Sequence, residues 1–246
     1  MSALQTVGVS KNFGGVLALS DVSIAVEKGA RHLIIGPNGA GKTTLFNMLS
    51  GTFSASSGQM LLWGKDITSL PPYERARLGM ARTFQITQLF SRLSVSENVM
   101  LALHAARGGD LSVYRPMKGD RLLLQGAADM LARWELSHIA DQAANTISYG
   151  QKRQVDLMLA LVGQPSVLLL DEPTAGLSAA EVVRVADMIR SLPRDMTVLM
   201  IEHDMDIAFG FADRVTVMNQ GQVIVEGDVA AIRNNAEVAA IYLGED

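Results

Sequence analysis

The chain contains no cysteine, which excludes disulfide bonds, thiolate metal sites and cysteine nucleophiles. Neither sign of charge dominates, because 21 basic residues stand against 25 acidic ones and the formal net charge is −4. A strongly basic face is therefore not implied, and nucleic acid is not expected as a partner. No apolar run is long enough to cross a bilayer, so work at a membrane would require another chain to span it.

The most informative feature is a glycine-rich loop at residues 36–44. It follows an apolar run at 32–35 that predicts a buried strand, and it precedes residues 45–49, which predict the start of a helix. In this context the pattern G-x-x-x-x-G-K-[ST] predicts a phosphate cradle for a nucleoside triphosphate, because backbone N–H groups and a helix dipole converge there. We expect Lys42 to reach the β- and γ-phosphates and Thr43 to ligate Mg²⁺. The predicted nucleotide-binding residues of the loop are Gly36, Pro37, Asn38, Gly39, Ala40, Gly41, Lys42, Thr43 and Thr44.

Two carboxylates, Asp171 and Glu172, follow an apolar run at 166–170 that predicts a strand buried on both faces. In open α/β sheets the carboxyl ends of the strands face the ligand crevice. Asp171 is therefore predicted to hold Mg²⁺, and Glu172 to accept a proton from the water that attacks the γ-phosphorus. The next predicted strand, 197–201, is one crossover away and precedes His203, which we expect to orient Glu172 and the water.

A second anion site is predicted far along the chain from the first. Ser148 is a good N-cap residue for a helix, and Gly150 leaves the backbone N–H groups of its first turn accessible. Lys152 and Arg153 lie in that turn, where cations oppose the helix dipole and a bound anion would relieve the conflict.

Hydrophobic spacing predicts the remaining organisation of the chain. Residues 4–9 and 22–26 predict strands of an N-terminal sheet, and residues 86–162 predict a helical insertion that contains a capping box at Ser94. A second capping box at Ser178 precedes another predicted helix, residues 214–226 predict a hairpin, and a single terminal helix is expected over about 228–242. These elements indicate an α/β fold.

Taken in chain order, five features resemble the motifs of ATP-binding cassette (ABC) ATPases along the whole length of the chain. They are the phosphate loop, Gln85, the segment 148–151, the pair Asp171 and Glu172, and His203. The resemblance implies a P-loop NTPase with a RecA-like, mostly parallel core, an N-terminal antiparallel β subdomain and an inserted helical subdomain. It implies one domain, with a core formed by 1–85 and 163–246 and a helical signature subdomain at 86–162.

The resemblance also implies roles for individual residues, with ATP and Mg²⁺ as cofactors. Gln85 would be the glutamine of the lid loop, a catalytic residue and Mg²⁺ ligand that senses the membrane partner. Phe13 would stack on adenine, although a phenylalanine that packs on the sheet is the alternative. The signature residues Ser148, Gly150 and Gln151 would bind the ATP held by a second protomer, and residues 175–178 would couple the two sites.

Two positions depart from the commonest pattern of the family, since Tyr149 replaces a glycine and Ser178 an aspartate. The serine-tyrosine-glycine signature, with residues 82–85 and 175–177, is similar to the subfamily that serves branched-chain amino acid importers. The ending at 242–246 resembles that group and also the ATPase of lipopolysaccharide export. Ser178 is either a coupling residue or only a helix N-cap.

The resemblance therefore implies the ATPase subunit of an importer for branched-chain amino acids or related small amides, peripheral on the cytoplasmic face of the inner membrane. Expected partners are a second ATPase subunit, identical or related, transmembrane permease subunits and, indirectly, a periplasmic or extracellular substrate-binding protein. The permease would dock near residues 86–98, where Leu89, Phe90 and Leu93 either contact it or pack into the helical subdomain.

Three other classes of protein are alternatives to the importer. A lipopolysaccharide exporter ATPase shares all the chemistry, so only the partner separates the two. A soluble ABC ATPase that acts on DNA or ribosomes usually carries two cassettes or a long coiled-coil insertion, and neither is present. A GTPase switch would need an Asn-Lys-x-Asp segment, which does not occur in the sequence.

Overall fold

The structure is a computed structural model that describes residues 1–83, 89–108 and 120–243. In chain order its strands are β1 (Ser2–Phe13), β2 (Val16–Glu27), β3 (Arg31–Ile35), β4 (Ser57–Leu62), β5 (Lys65–Asp66), β6 (Met80–Arg82), β7 (Val167–Asp171), β8 (Thr197–Ile201), β9 (Arg214–Asn219) and β10 (Gln222–Gly227). Its α-helices are α1 (Lys42–Leu49), α2 (Pro72–Arg77), α3 (Val95–Ala106), α4 (Arg121–Arg133), α5 (Tyr149–Leu161), α6 (Ala179–Arg190), α7 (Met205–Phe211), α8 (Val229–Arg233) and α9 (Ala236–Leu243).

The N-terminal sheet is antiparallel, with the strand order β2-β1-β4-β5. The two strands predicted at 4–9 and 22–26 are each twelve residues long and form a hairpin. Along β2 the buried residues Val22, Ile24 and Val26 alternate with exposed ones, as expected of a sheet with one face against the core. That buried face belongs to the same apolar cluster as Leu45 and Phe46 of α1.

The second sheet is mostly parallel, as predicted, and has the order β10-β9-β3-β8-β7-β6. Within it β10 runs antiparallel to β9, and the other neighbours are parallel. Every residue of β3, β7 and β8 is buried, because helices and the first sheet cover both faces. The predicted crossover from β7 through α6 to the adjacent strand β8 is also present, so the carboxyl ends of β3, β7 and β8 meet at one edge.

The helices α3, α4 and α5 share an apolar cluster of their own, whose fully buried members include Val99, Leu131 and Val155. The capping box at the start of α3 is formed, since Glu97 N donates to Ser94 Oγ at 3.1 Å and Ser94 N donates to Glu97 Oε2 at 2.8 Å. The limits of the helical subdomain at 86 and 162 stay a prediction. Within the described ranges, no helix has both the length and the apolar character that are needed to cross a membrane.

The single helix predicted over about 228–242 is wrong, because the structure divides this segment into α8 and α9. The side chain of Asn235 causes the break. Its Oδ1 accepts hydrogen bonds from Glu237 N at 2.8 Å and Val238 N at 3.1 Å, which satisfies N–H groups at the start of a new helix.

Candidate active site

The glycine-rich loop connects the buried end of β3 to the first residue of α1, and its backbone requires glycine. Gly36 has a φ of 150°, and a Cβ placed on it would lie 2.0 Å from the carbonyl oxygen of Met218. Gly41 precedes α1 with a left-handed φ of 96°. Because a side chain is excluded at Gly36 and disfavoured at Gly41, glycine at these positions lets the loop curl tightly at the helix N-terminus. This is the geometry of an anion-binding cradle.

Lys42 is buried and folds back over the loop. Its Nζ donates hydrogen bonds to the carbonyl oxygens of Gly36 at 2.5 Å and Pro37 at 2.8 Å. An ammonium group held against carbonyl oxygens can be transferred to phosphate oxygens, which are stronger acceptors because they carry charge. The neighbouring Thr43 is exposed.

A cavity of about 400 Å³ brings the loop together with the residues predicted to perform the chemistry. Glu172 and His203 also line this cavity, and their side chains are paired, with Glu172 Oε1 lying 2.7 Å from His203 Nε2. The sequence predicted this proximity from the adjacency of β7 and β8. The lining residues are Val16, Leu17, Ala18, Asn38, Gly39, Ala40, Gly41, Lys42, Thr43, Thr44, Glu172, His203, Gln220 and Gly221.

The backbone of Glu172 has a left-handed φ of 47°, which is uncommon for a residue other than glycine. The buried side chain of Arg153 holds this turn. Its Nη2 donates to the carbonyl oxygens of Asp171 at 2.7 Å and Glu172 at 2.6 Å, and its Nε donates to that of Pro173 at 3.0 Å. The guanidinium thus joins α5 to the turn that carries the predicted base.

The sequence predicted Arg153 as a cation that opposes the α5 dipole beside an anion site, but this side chain is only 2% exposed and binds backbone carbonyls. The helical spacing of α5 contained the signal. Gly150, Arg153, Gln154 and Leu157 are all buried and occupy positions i, i+3, i+4 and i+7 of one face. The position of Arg153 in the first turn suggested an anion, whereas its helical phase directs it toward the sheet.

A second stabilising residue was missed by the sequence reasoning. Glu202, at the end of β8, is 3% exposed, and its Oε2 accepts a hydrogen bond from Thr174 Oγ1 at 2.6 Å. Its Oε1 accepts one from His203 N at 2.8 Å. Glu202 therefore connects Thr174, two residues after Glu172, to the backbone of His203. This connection fixes Glu172 and His203 relative to each other.

Asp171 is buried and forms an ion pair with Arg82, with 2.7 Å between Asp171 Oδ2 and Arg82 Nη2. Burial raises the pKa of Asp171, and the bond from Arg82 opposes that rise. In the part of the chain that is described, Asp171 Oδ1 is buried and accepts no hydrogen bond. This unsatisfied carboxylate oxygen and the Thr43 hydroxyl are hard oxygen ligands of the kind that Mg²⁺ prefers. At triphosphate sites Mg²⁺ uses few protein ligands besides the phosphates, so these two residues fit the ion.

The second predicted anion site lies at the N-terminus of α5. Ser148 is the N-cap as predicted, since Gln151 N donates to Ser148 Oγ at 3.1 Å and Ser148 N donates to Gln151 Oε1 at 2.9 Å. Gly150 is buried in the first turn. Among the described residues, those that line the cavity of the glycine-rich loop do not include Ser148, Gly150 or Gln151. The two predicted anion sites of one chain are therefore separate.

The remaining predicted site residues are Phe13 and Gln85. The Phe13 ring packs edge-on against Phe53, with 5.4 Å between the ring centroids. Lys11 Nζ lies 4.9 Å from the centroid of the Phe13 ring. Val16 and Leu17 form the apolar wall beside the loop. Adenine stacking by Phe13 stays a prediction, and Gln85 lies outside the described residues.

A glycine loop between a parallel strand and a helix, facing a carboxylate across a cavity, defines a P-loop nucleotide-binding protein. The sequence profile of the family described as ABC transporter matches residues 19–175. The chain belongs to this family. The predictions of the family, of the α/β P-loop fold and of an ATPase are thereby confirmed.

Curated relatives match along almost the whole chain. The high-affinity branched-chain amino acid transport ATP-binding protein BraF of Pseudomonas aeruginosa is 36% identical over 249 residues, which cover 98% of both chains. The corresponding protein LivG of Escherichia coli is 37% identical over 249 residues with the same coverage.

Two solved structures with high similarity are also ATP-binding cassettes of ABC transporters, each 33% identical and covering all of both chains. The nucleotide-free cassette has a TM-score of 0.87, and a cassette in its ADP conformation has a TM-score of 0.85.

Proposed function

We propose that this chain is the ATP-hydrolysing subunit of an importer for branched-chain amino acids or related small amides. The catalytic part of the proposal depends on one observation, the contact of 2.7 Å between Glu172 and His203 across the cavity from the Lys42 loop. The transported class is supported by the names of the relatives, which cover nearly the whole chain at 36–37% identity. Those names favour amino acid transport over lipopolysaccharide export.

The chain's own residues supply the steps of hydrolysis. The backbone N–H groups of the glycine loop hold the phosphates, and Lys42 transfers its hydrogen bonds from the loop carbonyls to phosphate oxygens. Asp171, Thr43 and Gln85 would hold Mg²⁺, which would neutralise charge that develops on the phosphates. Glu172 accepts a proton from the attacking water, and His203 keeps the carboxylate in place.

The signature residues at the start of α5 complete the site of a second chain. Ser148, Gly150 and Gln151 lie outside the cavity of their own loop, so each triphosphate is enclosed between the loop of one molecule and the α5 N-terminus of another. The second molecule is an identical or related subunit.

The pair of subunits acts on the cytoplasmic face of the inner membrane and is bound to permease subunits. The permease docks near residues 86–98. Within this region Phe90 is 64% exposed, whereas Leu89 packs against the helical cluster. This difference supports Phe90 as the contact and assigns Leu89 to the core. Co-purification from detergent-solubilised membranes, followed by identification of the partner, separates import from export.

Substitution of Glu172 by Gln tests the catalytic assignment, because it removes the base and keeps the shape of the side chain. ATP binding, followed with a fluorescent analogue, should remain within about twofold, and phosphate release should fall by about 10²–10⁴-fold. Lys42→Ala, which should abolish binding, provides the non-binding reference. The exposed Glu237→Gln is the matched control and should retain normal turnover. A normal rate of hydrolysis in Glu172→Gln would show that another group is the base.

A further inference from the structure

The N-terminus of α5 is in contact with a carboxylate of the same chain. The half-buried side chain of Glu181 extends from the first turn of α6, and its Oε1 lies 3.5 Å from Ser148 Oγ. The same oxygen packs so closely on Gly150 that a Cβ placed there would lie 2.1 Å from it. A side chain at position 150 would therefore displace Glu181, and glycine at this position is what permits the contact.

Glu181 is held in this position from its own helix. Its Oε2 accepts hydrogen bonds from Ser178 N at 3.0 Å and Ser178 Oγ at 2.7 Å. The bond from the Ser178 hydroxyl is the main cause that lowers the pKa of Glu181, with smaller contributions from Ser148 and Gly150. Glu181 is therefore a carboxylate at neutral pH, and an anion at a helix N-terminus is electrostatically favourable.

We propose that Glu181 is an autoinhibitory carboxylate, which occupies the N-terminus of α5 in the unpaired chain and must be displaced by the γ-phosphate that a second chain presents. The inference rests on the proposed function, in which Ser148 and Gly150 bind the nucleotide of the partner. It adds a residue that controls when two chains pair, and that residue lies on α6, outside the signature segment itself.

Two anions compete for one set of donors in this arrangement. The Ser148 hydroxyl and the Gly150 N–H, which would receive the phosphate, already interact with the Glu181 carboxylate. A triphosphate that approaches them meets a negative charge, so pairing requires Glu181 to rotate away or to be neutralised. The contact therefore raises the nucleotide concentration that is needed for pairing, and it satisfies the α5 N-terminus while the chain is unpaired.

The experiment measures pairing as a function of ATP by sedimentation velocity. The parent protein is the full chain carrying Glu172→Gln, so that ATP is not consumed. Adding Glu181→Gln removes the charge and keeps the capping interaction with Ser178, because glutamine also caps at this position. The ATP concentration at half-pairing should fall at least about fivefold. Glu181→Asp, which retains the charge and shortens the reach to α5, should shift it in the same direction.

The matched control is Asp187→Asn, which removes one negative charge from α6 at a residue paired with Arg190. It should leave the half-pairing concentration unchanged. Equal values for the parent and both Glu181 variants would overturn the inference, and so would an equal shift in Asp187→Asn, since the effect would then come from net charge. If the parent binds ATP but does not pair at saturation, the proposed function itself fails.

Discussion

At the scale of single residues, Arg153 stabilises a backbone conformation of Glu172 that a glutamate does not favour. A left-handed φ at a residue other than glycine costs of order 1–3 kcal/mol and persists only where neighbouring groups determine it. The guanidinium of Arg153 holds the turn in this conformation because it donates hydrogen bonds to three successive carbonyl oxygens, those of Asp171, Glu172 and Pro173. A buried residue that does not line the cavity of the glycine loop therefore fixes the direction in which the predicted base points.

Replacing Arg153 by Met should impair turnover more than nucleotide binding. The change leaves three carbonyl oxygens without their donor, so the turn relaxes and Glu172 leaves the position it needs. We expect kcat to fall at least about tenfold while the affinity for a fluorescent ATP analogue stays within about twofold, because the Lys42 loop is untouched. Lys65→Met, which removes an exposed cation from β5 of the N-terminal sheet, is the control and should behave as wild type. Unchanged kcat in Arg153→Met would contradict this role.

At the scale of secondary-structure elements, a buried histidine connects β3 to the β9–β10 hairpin. His32 Nε2 lies 2.7 Å from Thr216 Oγ1, and the Thr216 hydroxyl lies 3.2 Å from Glu226 Oε2. Glu226 in turn pairs with Arg214 at 2.7 Å. Burial lowers the pKa of His32 to about 4. The folded protein therefore holds this imidazole in its neutral form across the physiological range.

The histidine should make the free energy of unfolding depend on pH. The unfolded chain takes up the proton near pH 6.5 and the folded chain only near 4, so the stability is fully present above about 6.5 and is lost as the pH falls toward 4. The loss should reach about 2 kcal/mol at pH 5. Urea unfolding at pH 7.5 and pH 5 measures it. His32→Gln should flatten the difference, and the exposed His138→Gln should not. Equal pH dependence in both variants would refute the assignment.

Elements defined by local spacing could be predicted from the sequence, and contacts between distant elements could not. The loop at 36–44, the strand before Glu172 and the N-cap at Ser148 each depend on residues within a few positions of one another. The bonds of Arg153 and the contact of Glu181 with Ser148 join elements 18 to 33 residues apart, and the sequence does not show which neighbour will be near. The division of the terminal helix was missed because one Asn235 side chain competes with helix continuation.

For the whole molecule, the decisive property of the proposed function is that one chain carries two halves of different sites. The cavity of the glycine loop contains Lys42, Glu172 and His203, and the N-terminus of α5 lies apart from it. The helix α5 packs on two sides, because Val155 belongs to the apolar cluster of α3 and α4 whereas Leu157 belongs to the cluster that contains Ile35 of β3, the residue before the loop.

Hydrolysis per chain should therefore depend on protein concentration. If two chains form each site, the rate per chain should fall on dilution below the pairing constant, and the total rate should then rise with about the square of the concentration. Phosphate release measured over a hundredfold dilution at saturating ATP tests this dependence. A constant rate per chain down to concentrations at which sedimentation shows only monomer would refute the shared site.

The bonds of Arg153 have a consequence for how a pair would operate. In the proposed pair, α5 encloses the partner's nucleotide at its N-terminus, while Arg153 on the same helix grips the turn of Glu172 in its own chain. A tilt of α5 that follows binding or hydrolysis of the partner's nucleotide would be transmitted through the Arg153 guanidinium to Glu172 in the site of its own chain. Hydrolysis at the two nucleotide sites should then be coupled, so that the sites alternate or act together and do not turn over independently.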